Sequence, residues 1–283
     1  MRVQSSIFIF LGLLISKNDA QVPMPLSYYS AMEDTYMSFH QMALAIFSPN
    51  AAVCFPKIKS GHSIIKTIKA DCKDLIFNGD CQVAVTKFVA GMDGQISNHA
   101  VMFRHPHGIR AFTNIVPTTV ANMPLTNFGN PGQWGQVGDQ YLEAFNRLMD
   151  AGLRDYMYEL WSTSCNVPLL MTGHSAGDPQ FAAKLFNSVM SPFRIIYLKD
   201  TVPQYPATTV DRTKPANINE TGTTYMHYGY TVTYTSFNKK SGARSSKKCA
   251  NPEDPACDDI GTDITDHFAY FGFTEANYDN WTC

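Results

Sequence analysis

The stretch MTGHSAG, at residues 171–177, predicts the fold of the chain around it. A serine between two glycines, preceded by apolar residues 167–170, is typical of a sharp bend that joins a strand to a helix and lifts the serine hydroxyl out of a sheet. The glycines let neighbouring backbone pass without a Cβ in the way. Because G-x-S-x-G also occurs in ordinary turns, the surrounding sequence must decide what the bend means.

The segments on both sides of the bend predict alternating helices and strands. Residues 137–161 carry apolar side chains at the steps of an amphipathic helix, and residues 169–172 predict a short strand. Asp178-Pro179 is a good helix start, and residues 193–198 predict a buried strand. This order indicates an α/β protein with a mostly parallel central sheet that helices cover on both faces.

The spacing of apolar residues changes from helical to strand-like within the first third of the chain. Residues 21–60 are weakly helical. Residues 81–90 and 98–104 are rich in β-forming side chains, and the Asp93-Gly94 pair between them is a strong hairpin signal. We therefore expect two antiparallel strands here.

The other segments are less regular. Residues 105–135 predict an irregular segment with apolar side chains. Such a segment is either a lid over a binding site or an ordinary surface loop. Residues 225–237 predict one more strand, and residues 239–257 a polar loop closed by cysteines. Residues 264–273 predict an amphipathic segment that carries His267.

Composition limits the classes of partner. The chain has 283 residues, of which 45% are hydrophobic and 16% charged, with a formal net charge of −2. This is ample apolar content for a packed core, and it leaves no basic field for nucleic acid. We expect a small or apolar partner and no nucleic acid.

The N-terminus predicts a secretory signal over residues 1–20. Arg2 supplies the positive end, residues 7–15 form an apolar stretch too short to cross a bilayer, and Ala20 could precede the cleavage site. No later stretch is long and apolar enough to be a transmembrane segment. We expect residues 21–283 to form a single exported domain.

Seven cysteines fit an exported protein with disulfides. They are Cys54, Cys72, Cys81, Cys165, Cys249, Cys257 and Cys283. Proximity favours the pairs Cys72 with Cys81 and Cys249 with Cys257. A Cys54–Cys283 pair would join the two ends and leave Cys165 free, although spacing alone leaves many pairings open. Asn219 and Asn280 stand in N-x-T sequences and are candidate glycan acceptors.

Ser175 needs two partners to act as a nucleophile. A histidine must accept the hydroxyl proton, and a carboxylate must orient that histidine. In sheet-based hydrolases the three arrive in the order serine, acid, histidine. Ser175, Asp200 and His267 follow this order, and Asp200 comes directly after a predicted strand.

Other assignments remain open from the residues alone. Asp263 or Asp266 could be the acid, and His227 could be the base. An aspartate after a strand is usually a turn residue, and a histidine beside phenylalanines is usually a half-buried side chain. His105, His107 and His174 lie too near the bend to suggest a metal set, so we expect no metal and no cofactor.

Three motifs resemble one known family. TGHSAG at 172–177 resembles T-G-H-S-L-G, RIIYLKDTVP at 194–203 resembles R-V-V-x-x-x-D-x-V-P, and DHFAYF at 266–271 resembles D-H-x-x-Y-F. They are the motifs of the class 3, fungal-type lipases, which have the α/β-hydrolase fold. The resemblance covers roughly residues 50–283 and is specific because the motifs occur in order.

The resemblance implies a function. It implies a secreted serine ester hydrolase that acts on triacylglycerol-like or other apolar esters, at a lipid–water interface or on small ester substrates. It implies the roles of nucleophile for Ser175, acid for Asp200 and base for His267. It implies no cofactor.

The chain departs from the family at the oxyanion hole, which needs backbone N–H donors. The sequence FRHPH at 103–107 stands where the family has F-R-G-T or F-R-G-S. In that register Pro106 has no N–H to give, which leaves the amide of Ala176. A ring N–H of His105 or His107 is the alternative donor.

The second departure is length. Ser175 and Asp200 are 25 positions apart, several tens fewer than in the family, and GDPQFA at 177–182 resembles the family's later G-D-x-x-F-A motif. One αβ unit therefore looks absent after the bend. In a compensating arrangement, the strand at 193–198 would pair beside the strand that leads into the bend. These departures leave a second hypothesis, an inactive lipase-like protein that binds lipid without turnover.

Overall fold

The computed structural model describes ten segments of the chain. They are residues 51–58, 60–75, 79–89, 96–103, 123–131, 133–164, 169–172, 193–200, 230–237 and 244–249, with the single residues Ser38, Met42, Ala45, Ile46, Cys257, Asp263, Thr265 and Asp266. No helix among them is long and apolar enough to cross a membrane.

The described strands are numbered in chain order. They are β1 (His62–Cys72), β2 (Gly79–Val89), β3 (Ile96–Phe103), β4 (Leu125–Asn127), β5 (Gln136–Gly138), β6 (Leu169–Thr172), β7 (Phe193–Tyr197), β8 (Tyr230–Phe237) and β9 (Arg244–Lys248). The helices are α1 (Ala51–Ile58), α2 (Asp139–Leu148) and α3 (Arg154–Ser164), with a π-helical segment, Met149–Leu153, between the last two.

The chain divides into two compact units. Unit 1 comprises Met1–Tyr28, Val116–Leu142 and Ser175–Gly272. Unit 2 comprises Tyr29–Ile115, Glu143–His174 and Phe273–Cys283.

Unit 2 is built on a four-stranded sheet of order β1-β2-β3-β6. β2 pairs antiparallel with both β1 and β3, which confirms the predicted hairpin, and β3 pairs parallel with β6. In this parallel ladder Met102 lies opposite Thr172. The strand predicted to lead into the serine bend is therefore present and is held by β3.

Helices cover both faces of this sheet, as predicted. On one face Ala84, Ala100 and Met102 pack in a fully buried cluster with Phe55 of α1 and with Met42. On the other face the ring of Phe103 lies 6.3 Å from that of Phe145 in α2. The Lys66 ammonium lies over the ring of Tyr156 in α3, at 5.8 Å from its centroid.

The helix predicted over residues 137–161 is interrupted. The π-helical segment separates α2 from α3, and Gly152 within it has a φ of 108°. Only glycine adopts this backbone conformation at little cost, which explains the break. Leu148, Met149, Leu153 and Met157 are all buried, so the apolar stripe continues across the break.

Three elements differ from the sequence expectations. Strand β1 was not anticipated. Residues 105–135, expected to be irregular, contain β4, which forms a short antiparallel hairpin with β5. Residues 239–257, expected to be a loop, contain β9, which pairs antiparallel with β8.

Unit 1 contains a three-stranded sheet of order β7-β8-β9. β7 and β8, both predicted as strands, pair in parallel. Ile196, Val232 and Tyr234 are fully buried in it. The Arg194 guanidinium donates two hydrogen bonds to the Thr231 hydroxyl, at 3.1 Å and 2.9 Å.

The compensating arrangement predicted for β7 is wrong for the described residues. Among the described residues β6 pairs with β3 and β7 pairs with β8, and no ladder between β6 and β7 is seen. Residues 173–192, where the αβ unit looks absent, lie outside the described residues. The absence of that unit stays a prediction.

Both disulfides predicted from proximity are confirmed. Cys72 bonds Cys81 with their Cα atoms 5.5 Å apart, and Cys249 bonds Cys257 with their Cα atoms 6.0 Å apart. Cys54 is buried and disulfide-bonded too. Its predicted partner Cys283 and the predicted free Cys165 lie outside the described residues.

Candidate functional site

The strand that leads into the serine bend ends beside β3. Because β3 and β6 are parallel, their carboxyl ends lie at the same edge of the sheet. Met102, the second-last residue of β3, lies opposite Thr172, the last residue of β6, so both described strands end at this edge. In the sequence, the predicted nucleophile Ser175 follows Thr172 by three residues, and the alternative oxyanion donors His105 and His107 follow Phe103 closely.

Asp200 stands in a tight turn directly after β7, as the sequence predicted. Its N–H donates to the carbonyl of Tyr197 at 3.0 Å, which closes the turn. Within the turn Leu198 has a φ of 49°, the one positive φ among the described residues other than glycine. The Leu198 N–H donates to the carbonyl of Tyr234 in β8 at 2.8 Å. The turn is thus anchored to the sheet.

A short segment at residues 263–266, named here the 263–266 turn, lies against this position. Asp263 and Asp200 form an isolated parallel bridge. The Asp263 N–H donates to the Lys199 carbonyl at 3.1 Å, and the Lys199 N–H donates to Oδ2 of Asp266 at 2.9 Å. Both polar groups of the Lys199 backbone therefore bond to the 263–266 turn.

The Asp263 carboxylate stabilises the turn from within. Its Oδ1 accepts hydrogen bonds from the N–H of Thr265 at 2.8 Å and from the Thr265 hydroxyl at 2.6 Å. The hydroxyl bond, then the amide bond, and then the charge of Lys199 hold the pKa of Asp263 below its usual range. Asp263 therefore has a local structural role.

The carboxylates near β7 differ in burial. Asp200 is 0% exposed and is the one buried carboxylate among the described residues, whereas Asp263 is exposed and Asp266 half-buried. Burial, and to a lesser degree the charge of Asp266, raises the pKa of Tyr197. Asp263 accepts a hydrogen bond from the Thr265 N–H, and Asp266 accepts one from the Lys199 N–H.

Most of the predicted site residues lie outside the described residues. These are Ser175, Ala176, His267, the alternative base His227, the histidines at 105, 107 and 174, Pro106, and the candidate glycan acceptors Asn219 and Asn280. The described part of the chain holds no group of three or more metal-binding side chains. What the structure brings together is Asp200 and the 263–266 turn, whose last residue directly precedes His267.

Sequence reasoning missed the role of Asp266. The sequence suggests Asp266 only as an alternative acid, yet its carboxylate accepts a hydrogen bond from the backbone N–H of Lys199, the residue before Asp200. Its position directly before a candidate histidine was the available signal. The backbone groups of Lys199 gave none, because every residue carries them.

A second ionisable side chain is buried near β6. His99 of β3 is 3% exposed and lies opposite Leu169 of β6 and Lys87 of β2. Burial lowers its pKa, because the charged imidazolium loses hydration inside the sheet, and the nearby Lys87 charge lowers it further.

Comparison with known proteins shows the fold. No protein-family model and no curated protein sequence matches the chain. A deletion mutant of the Rhizomucor miehei lipase propeptide complex aligns with a TM-score of 0.64 at 16% identity, covering 93% of this chain and 89% of that one. Lipase II from Rhizopus niveus aligns with a TM-score of 0.63 at 15% identity, covering 87% and 97%.

A third solved structure, a triacylglycerol lipase whose catalytic centre is formed by a serine protease triad, aligns with a TM-score of 0.58 at 17% identity. The alignment covers 89% of this chain and 98% of that one. At these identities the matches establish a shared architecture over most of the chain.

Proposed function

From the premise that the chain has the α/β-hydrolase fold of the fungal triacylglycerol lipases, we propose that it is a secreted serine ester hydrolase. Its substrates are triacylglycerol-like or other apolar esters. Ser175 is the nucleophile, His267 the general base and Asp200 the acid that orients the histidine. The triacylglycerol lipase with the same fold, whose catalytic centre is formed by a serine protease triad, supports this assignment.

The observation that carries the proposal is the contact between Asp200 and the 263–266 turn. Asp200 is fully buried and bridged to Asp263, and Asp266 bonds the residue directly before Asp200. His267 follows Asp266 directly in the sequence. A buried carboxylate needs a charged or hydrogen-bonding partner, and an imidazolium is a suitable one.

The reaction follows from these roles. Ser175 Oγ attacks the ester carbonyl as His267 takes its proton, and the tetrahedral intermediate expels the alcohol, which receives that proton from His267. Water then attacks the acyl-enzyme with His267 again as base. The fatty acid leaves, and Ser175 regains its proton. Asp200 holds the imidazole in the required tautomer.

The oxyanion hole limits the rate. The Ala176 N–H serves as one donor, and Pro106 supplies none. A ring N–H of His105 or His107 is the alternative second donor. With Ala176 as sole donor, we expect turnover about 10²–10³-fold below that of a two-donor hydrolase.

The test uses the purified chain with p-nitrophenyl butyrate and a fluorophosphonate probe. We expect ester turnover and covalent labelling, with the labelled peptide containing Ser175. Ser175→Ala should remove both while leaving the melting temperature unchanged. A folded, monodisperse sample that neither hydrolyses the ester nor takes the label would contradict the proposal.

The second candidate is a lipid-binding protein without turnover. Pro106 at a donor position and the short interval from Ser175 to Asp200 favour it. A chain that floats with triolein droplets on centrifugation but does neither reaction above would support it. Activity that disappears in Ser175→Ala would exclude it.

Export is part of the proposal. Two described disulfides and a third bond at Cys54 fit an oxidising compartment. We expect secretion from eukaryotic cells with cleavage near residue 20, and glycans at Asn219 and Asn280. Mass spectrometry before and after glycosidase treatment measures both; an intact N-terminus in the cell lysate would argue against export.

A further inference from the structure

The backbone of Lys199, next to Asp200, is bonded by Asp266, a residue to which the proposed reaction gives no role. Lys199 offers one N–H and one carbonyl, and the 263–266 turn takes both: Asp266 Oδ2 accepts the N–H at 2.9 Å, and the Asp263 N–H donates to the carbonyl at 3.1 Å. The first of these bonds depends on a side chain. It can therefore be removed by substitution.

The turn that these bonds hold is not the relaxed shape of its own sequence. Leu198 has a φ of 49°, a left-handed conformation that residues other than glycine rarely adopt. Such a conformation persists where its surroundings hold it. The bonds from Leu198 to β8, from Asp200 to Tyr197 and from Lys199 to Asp266 supply that restraint.

The same bond connects two parts of the proposed machinery. Lys199 directly precedes Asp200, and Asp266 directly precedes His267. The hydrogen bond between Lys199 and Asp266 therefore joins the two segments of the chain at the residues that directly precede the proposed acid and base. Catalysis by such a pair is sensitive to small displacements, since about 1 Å can change the rate by up to about 10²-fold.

We infer that Asp266 is a positioning residue for the proposed reaction, whose carboxylate holds the Lys199 amide and thereby sets the placement of Asp200 relative to His267. The inference rests on the proposed function. In this role Asp266 acts through the Lys199 amide. A carboxylate-to-amide hydrogen bond is stronger than a neutral one and suits this role.

The test compares Asp266→Ala with Asp266→Asn. Both remove the negative charge, so any effect of charge on His267 is common to both, but only asparagine keeps an oxygen that can accept the Lys199 N–H. With p-nitrophenyl butyrate we expect kcat of Asp266→Ala to be about 10-fold below that of Asp266→Asn, with KM equal within about 2-fold. Asp150→Ala, which removes an exposed carboxylate from the π-helical segment, is the control.

A second measurement, amide hydrogen exchange, detects the hydrogen bond between the Lys199 N–H and Asp266 without relying on catalytic activity. Amide hydrogen exchange at Lys199 should be slow in the wild type and in Asp266→Asn, and at least about 10-fold faster in Asp266→Ala. If Asp266→Ala does not fold, Asp266→Ser replaces it, since the serine hydroxyl ends one bond short of the carboxylate oxygen.

The outcomes separate the two proposals. A wild type that is inert toward the ester and the fluorophosphonate overturns the proposed function, and the inference with it. An active wild type whose alanine and asparagine variants have equal kcat overturns the inference alone. A lower kcat in Asp266→Ala that asparagine restores, with faster Lys199 exchange, supports it.

Discussion

The four-stranded sheet of unit 2 and the turn at residues 197–200 of unit 1 are held by opposite kinds of contact. Apolar side chains pack on both faces of the sheet, and Val83, Val85 and Met102 are fully buried there. The turn is held by directional hydrogen bonds to β8 and to the 263–266 turn. Apolar burial is non-directional and sets stability, whereas directional bonds set the position of a reacting group. Stability and activity should therefore respond to different substitutions.

The strongest challenge to this comparison is Asp200→Asn. Asparagine keeps the shape but cannot balance an imidazolium, so we expect kcat for ester hydrolysis to fall about 10⁴-fold in a protein that still folds. Asp150→Asn serves as the control. A loss of less than tenfold would mean that the acid lies elsewhere and that the turn does not serve catalysis.

Phe55→Ala tests the other side of the comparison. Phe55 is 0% exposed on α1, so its truncation should lower the free energy of unfolding by about 3–5 kcal/mol in urea titrations. Val53→Ala on the same helix, 56% exposed, should change it by less than about 0.5 kcal/mol. The kcat of the folded Phe55 variant should match the wild type. A kcat loss without a stability loss would break the separation.

The two described disulfides sharpen the comparison, since each unit has one. Their sequence separations are 9 and 8, so loop closure predicts nearly equal stabilisation, about 2–3 kcal/mol each. Replacing Cys72 and Cys81 by serine, or Cys249 and Cys257, should lower the free energy of unfolding equally. A twofold difference would show that the surroundings of the bond, rather than loop length, determine its effect.

The smallest expected effect is that of His99 protonation on the free energy of unfolding. Its folded pKa lies below its unfolded value of about 6.5, so protonation favours the unfolded chain. The free energy of unfolding should fall as the pH drops from about 6.5 toward the folded pKa and should be constant above that range. His99→Leu should flatten this part of the thermal-melt profile. An unchanged slope would show that His99 is not its source.

The sequence predicted the elements whose pattern is local. The Asp93-Gly94 turn and the apolar residues around it predicted β2 and β3, and β6, β7 and β8 were predicted within a few residues. β1 was missed because its pairing shifts between Ile64 and Lys66, which breaks the two-residue alternation. β9 was missed because residues 244–248 are all polar and carry no apolar alternation.

The candidate site was predicted in part. The place of Asp200 after a strand followed from the strand signal, and the structure confirmed it. The contact with the 263–266 turn could not be predicted, because Lys199 and Asp266 are 67 residues apart and bond through a backbone amide. Contacts of this kind depend on tertiary structure and leave no periodic pattern.

Strand β9 has a consequence for how copies of the chain behave at high concentration. It is the last strand of the described three-stranded sheet, and its residues 245–248 are all exposed, two of them lysines. A second chain that extended the sheet there would have to strip water from these ammonium groups with no apolar surface gained in return. Charged side chains on the outer strand of a sheet discourage pairing with a second chain in this way.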